Sequence, residues 1–135
     1  MHAGGAYDTT LTYVAASQTQ SKTDVTRAGL GTTTYSFEPK GSTASYRRPT
    51  SAVSSDGTES WQYDYYGAWK SYTNKRGITY YTEYNTAGRE TKFTEAQGYA
   101  EQRSTVTNWS TDLLTKTSLE VRNYANQALR RIDYT

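Results

Sequence analysis

Asp56 and Asp64 are the two carboxylates whose closeness in the chain invites an acid–base pair, the minimum equipment for proton-transfer catalysis. Each also sits in a turn-like context, Asp56 directly before Gly57 and Asp64 three residues before Gly67. An aspartate there accepts hydrogen bonds from local backbone N–H groups, and this use accounts for both. Gly29-Leu30-Gly31 lacks the strand, helix and lysine context of a phosphate loop and reads as turn glycines. The one histidine is His2 and there is no cysteine, which removes disulfides, thiolate metal sites and classical triads. Asn108-Trp109-Ser110 satisfies the glycosylation sequon, a tripeptide too common to carry an assignment. Lys70, Lys75, Arg76 and Lys92 interleave with aromatics, and Trp61, Trp69, Tyr80 and Tyr81 are the rings that would face a sugar or a base. The same cations equally suit the solvated face and guarded edges of a sheet. No catalytic residue, cofactor site or metal site is assigned.

The elements that position these residues follow from composition. At 135 residues the chain has the size of one domain, read as a single unit over residues 1–135. Fifteen Lys and Arg face 13 Asp and Glu, so the electrostatic footprint of a nucleic-acid binder is missing and no nucleic-acid partner is expected. Apolar runs are only a few residues long, which leaves neither a membrane span nor the core of a signal peptide. The mean hydropathy of −0.91 would suit a disordered chain, but 14 Tyr and 3 Trp supply apolar area that disordered chains lack. Tyr, Trp and Thr favour a pleated, half-buried surface, and 10 Gly punctuate it, so the expectation is an all-β protein.

A repeat organises those strands. Tyr63-Asp64-Tyr65-Tyr66-Gly67 returns 21 residues later as Tyr84-Asn85-Thr86-Ala87-Gly88, and the same offset carries Tyr72-Thr73 to Phe93-Thr94 and Gly77 to Gly98. Weaker copies keep an aromatic four residues before a small residue: Tyr13 to Ser17, Phe37 to Gly41 and Tyr124 to Ala128. A degenerate unit surrounds Trp109. Each copy reads as a β-hairpin in which an aromatic ends one strand, Asp or Asn turns the chain, and Gly takes a positive φ before alternation resumes. Thr79, Tyr81 and Glu83 alternate with Tyr80, Thr82 and Tyr84, and Gly77 or Gly98 marks the turn into the next hairpin.

Two stretches depart from this pattern. Thr50 to Ser60 reads as a longer hairpin around Asp56-Gly57. Leu113 to Ile132 places Val121, Ala125, Ala128 and Ile132 on one helical face, so an amphipathic helix competes there with two strands, which the repeat favours.

The spacing Tyr63-Asp64-x-x-Gly67 and Tyr84-Asn85-x-x-Gly88-Arg89 resembles the signature of the YD-repeat, or Rhs, family. Residues 61–111 carry the clearest repeats, including a stretch from Gly98 through Trp109 similar to an irregular unit of bacterial Rhs proteins; residues 7–60 and 112–135 are degenerate. Asn85 and Glu38 stand where the motif has Asp, and Ala125 and Ala128 where it has Asp and Gly. Alanine at positive φ costs about 1 kcal/mol or more, so the resemblance implies a frayed last unit. It further implies consecutive antiparallel β-hairpins forming a curved, twisted β-ribbon, part of a hollow shell around toxin or other cargo. Tyr63, Asp64, Gly67, Gly77, Tyr84, Asn85, Gly88, Gly98 and Trp109 are its structural motif residues here.

Size bounds what the resemblance can carry. About 12 strands at about 4.8 Å spacing give a ribbon about 60 Å wide. A wall around a cargo of about 100 residues needs a circumference on the order of 140 Å. The expected partners are therefore other shell segments, toxin cargo or a second copy meeting an open sheet edge, and the family implies a secreted or cell-surface location reached through a specialised export system. The self-cleaving acid pair of longer family members is not seen. The rival reading is a glycan- or surface-binding module that uses exposed aromatics.

Overall fold

The computed structural model describes residues 9–14, 21–39 and 47–134. His2 and the copy positions Ala15 to Ser17, Lys40 and Gly41 lie outside the described residues. Eleven strands are present: β1 (Thr9–Val14), β2 (Ser21–Arg27), β3 (Gly31–Pro39), β4 (Arg47–Ser54), β5 (Gly57–Tyr63), β6 (Trp69–Thr73), β7 (Thr79–Tyr84), β8 (Glu90–Glu95), β9 (Arg103–Trp109), β10 (Lys116–Arg122) and β11 (Ala128–Asp133). No helix is found among the described residues, and the segment open to a helical reading forms β10 and β11 instead. The all-β expectation and the succession of antiparallel hairpins hold. Two compact units are distinguished, Met1–Trp61 with Asn74–Gly77, and Gln62–Thr73 with Ile78–Thr135.

In the first unit β1 to β5 pair in chain order, each antiparallel to the next. Threonine-rich alternation gives these strands their cross-strand pairs: Thr26 with Thr32 at 2.8 Å, and the Thr34 hydroxyl donating to Asp24 at 2.7 Å. Ala52, opposite Tyr35 on one side and Glu59 on the other, is the one buried hydrophobic residue among those described. The Asp56-Gly57 turn is displaced by one residue from its expected place: Ser55 and Asp56 form the loop, and Gly57 opens β5 opposite Ser54. Glu38 is not a turn residue. It lies within β3 opposite Arg48, whose Nε donates to it at 2.8 Å.

In the second unit β6 to β11 likewise pair in chain order. Here the interior differs in kind from a conventional core. The buried residues are Ser71, Thr82, Thr94, Ser104, Thr107, Ser118 and Glu120, while the aromatics are half-buried or exposed. Register explains this: Ser71 lies opposite Tyr81, Tyr81 opposite Thr94 and Thr94 opposite Ser104, so small side chains sit beneath longer neighbours. Thr94 and Ser104 satisfy one another at 3.1 Å. Glu120 is the buried charge, its side chain 9% exposed, and Arg122 at 2.6 Å and Arg131 at 3.0 Å neutralise it.

Candidate functional site

The turn after Tyr63 shows what the repeat signature builds. Asp64 N–H donates to the Ala68 carbonyl at 2.9 Å, Gly67 N–H to the Asp64 carbonyl at 3.0 Å, and Ala68 N–H to Asp64 Oδ1 at 2.7 Å. Gly67 has φ +88°, as a type I turn followed by a left-handed residue requires. Asn85 repeats every bond: its N–H donates to the Arg89 carbonyl at 2.9 Å, Gly88 N–H to its carbonyl at 2.9 Å, and Arg89 N–H to its Oδ1 at 3.0 Å. Because Oδ1 also accepts from Ala87 N–H, the amide orientation is fixed and Nδ2 is left buried without a partner. Aspartate at this place has no such orphaned donor.

The same device recurs where the motif lacks its usual letters. Asn123 N–H bonds the Gln127 carbonyl at 3.0 Å, Asn126 N–H bonds the Asn123 carbonyl at 2.9 Å, and Gln127 N–H returns to Asn123 Oδ1 at 2.9 Å. The last copy is therefore registered on Asn123 and Asn126, not on Tyr124. Asn126 carries φ +61°, which asparagine tolerates, so Ala125 and Ala128 bear no such strain and β11 forms. After Trp109 the turn starts at Ser110, whose hydroxyl oxygen accepts from Thr115 N–H at 3.1 Å, and Leu113 takes the glycine place at φ +59°. Asp112 braces this loop, accepting from the Ser110 hydroxyl and from Leu114 N–H, and these bonds hold its carboxyl below the usual range, the Ser110 bond most. Gly77 and Gly98 also adopt positive φ, in the turns after β6 and β8.

The aromatics expected to face a ligand are distributed differently. Tyr80 stacks between Tyr72, at 5.8 Å, and Phe93, at 6.4 Å, and Trp69 adjoins Phe93 at 6.2 Å. Tyr81 alternates with Tyr80 to the opposite face of β7, beside Ser71 and Thr94, so these four rings are not one platform. Trp61 is half-buried in β5. Tyr84 donates its hydroxyl to the Trp69 carbonyl at 2.7 Å, and burial, aided by the charge of Glu90, raises its pKa. Trp109 donates its indole N–H to the Glu90 carbonyl at 2.9 Å, with Arg89 at 5.0 Å and Lys116 at 5.7 Å from its ring centre. The Arg89 and Lys116 contacts and the Ser110 and Asn123 turns carried no sequence marker.

Two clefts are present in these regions. One, of about 530 Å3, lies between the Asp64 and Asn85 turns and is lined by Tyr66, Tyr84 and Thr86 among others. The other, of about 400 Å3 in the first unit, is lined by Arg27, Tyr35, Ser54, Asp56 and Lys75. There Lys75 Nζ meets Asp56 Oδ2 at 2.8 Å, and with the Ser54 hydroxyl at 2.5 Å it lowers the Asp56 pKa to about 2. Gly57 makes room for this contact, since a Cβ there would meet the Lys75 Cβ and carbonyl oxygen at 3.0 Å. Asp56 and Asp64 thus each serve their own turn. Lys92 reaches Glu83 at 3.5 Å, while Lys70 and Arg76 are exposed. Among the described residues no cluster of His, Cys, Asp and Glu could hold a metal ion, and no helix is long and apolar enough to cross a membrane. The chain matches no protein-family model and no curated protein.

Proposed function

We propose that this chain is a non-catalytic β-ribbon module of a YD-repeat, Rhs-type shell, which contacts toxin cargo or neighbouring shell segments. The observation that carries the reading is the turn built three times over, at Asp64, Asn85 and Asn123, with side-chain oxygen and left-handed fourth residue in the same roles, and once more at Ser110 in a loop one residue longer. Such a device extends a ribbon by whole hairpins and engages its polar side chains in holding the turns. A secreted or cell-surface location reached through specialised export belongs to the same proposal. The test is light scattering of the purified chain mixed with the proteins encoded beside it. A stable complex of defined mass is expected; a chain that binds none of them contradicts the shell reading.

A glycan-binding role is the second reading. It is favoured by the cleft beside the Asn85 turn, where Tyr66 is 82% exposed and Asn85 Nδ2 is without a partner. Saturable binding to a glycan array, lost on Tyr66→Ala, would establish it.

A further inference from the structure

β11 is hydrogen-bonded to β10 on one side, and no described strand pairs with its other side. All six of its residues are exposed. Tyr134 N–H donates to the Thr117 carbonyl at 3.0 Å, which fixes the parity of the backbone. By alternation the N–H and carbonyl groups of Ile132 also point toward β10, whereas those of Arg131 and Asp133 point outward. An edge of this kind accepts another strand wherever side chains permit.

We propose that the outer edge of β11 pairs antiparallel with the same edge of a second copy of this chain, about a two-fold axis at Ile132. Antiparallel self-pairing sets outward residues opposite outward residues, so few registers exist. Centring on Arg131 faces that arginine with itself, centring on Arg130 does the same there, and centring on Asp133 opposes two carboxylates. A centre at Leu129 engages only the first three residues of the strand. The register centred on Ile132 sets Arg131 opposite the second copy's Asp133 twice over, stacks Ile132 on its equivalent and places Arg130 opposite the second copy's Tyr134. Arg131 and Asp133 already meet at 2.8 Å within one chain, so their geometry suits pairing, and the exchange swaps the two exposed intrachain pairs of two copies for two cross-strand pairs.

This contact gives the self-association of a shell module a strand and a register, yet it needs no family assignment. It is tested on this chain alone, so it holds or fails separately from the mixing experiment. Because the chain has no cysteine, single substitutions report position cleanly. Ile132→Cys places two thiols in a non-hydrogen-bonded pair whose Cα atoms stand about 4.5 Å apart, within disulfide reach. Arg130→Cys separates them by four strand positions, about 13 Å. In a glutathione buffer Ile132→Cys should form a disulfide dimer at least about ten-fold faster than Arg130→Cys, the factor expected of about 1.4 kcal/mol in effective pairing. Asp133→Arg, which opposes like charges, should shift the self-association seen by sedimentation by about ten-fold toward monomer while the thermal transition confirms a folded chain. Equal cross-linking rates, an unmodified chain that is monomeric at every concentration, or an undiminished dimer in folded Asp133→Arg would overturn the proposal.

Discussion

Replacing Asn85 by aspartate isolates the chemistry of the repeated turn at one atom. Oδ1 keeps its two backbone donors, Ala87 and Arg89 N–H at 3.0 Å, while the buried and unpartnered Nδ2 becomes an acceptor. An unsatisfied buried donor costs about 1–3 kcal/mol, and bonds to a charged acceptor are stronger than bonds to a neutral one. Against this stand the partial burial of the new carboxylate and the negative charges of Asp64 and Glu90, both of which act on neighbouring Tyr84. The expected balance is a gain of about 1 kcal/mol, a rise of about 3–4 °C in Tm for a chain of this length. The mirror substitution, Asp64→Asn, should lose a similar amount by installing the same orphan in the preceding turn. Thermal unfolding at pH 7 of the natural chain and both variants measures this. A fall in Tm for Asn85→Asp, or shifts of the same sign in both variants, would refute the equivalence of the two turns.

The fourth turn position gives a paired expectation. Gly88→Ala meets nothing within 4 Å yet takes a side chain to φ +72°, so about 1 kcal/mol should be lost, whereas Leu113→Gly should gain up to about 1 kcal/mol by relieving φ +59°. Urea denaturation of each reports the sign. Trp109→Phe removes the indole bond to Glu90 and weakens the stacking of Arg89 and Lys116, an expected loss of about 1–2 kcal/mol in the same assay. Asp56 has a folded pKa of about 2 against an ordinary value of 3.8, chiefly through Lys75. Its contribution to stability is therefore full above about pH 4 and is lost as pH falls toward 2. Lys75→Gln should flatten that acid limb in urea titrations at stepped pH, and an unchanged slope would contradict the ion pair.

How far these features were legible varies with the physics behind them. The Tyr63 and Tyr84 turns were plain in the sequence because each keeps its Asp or Asn and its glycine at fixed spacing, and a positive φ advertises itself through glycine. Where Asn126 and Leu113 accept that φ the marker vanishes. The aromatic that marks this copy in the sequence is accordingly Tyr124, one residue past the turn's start at Asn123, although that ring sits within the turn, 59% exposed. Strand alternation was legible, but which residues are buried was not. Ser71, Thr94 and Ser104 are covered because register sets long side chains beside them, and register is a property of paired strands. The Asp56–Lys75 pair, 19 residues apart, is invisible to local pattern for the same reason.

A second copy of residues 64–84 inserted after Tyr84 tests the repeat organisation most directly. The insertion joins Tyr84 to a new Asp64, preserves the turn at each junction and adds one whole hairpin. If the chain is a ribbon of interchangeable units, circular dichroism should show added strand signal in proportion to two strands, with a cooperative thermal transition at or above that of the natural chain. An unfolded or broadly melting product would contradict that organisation.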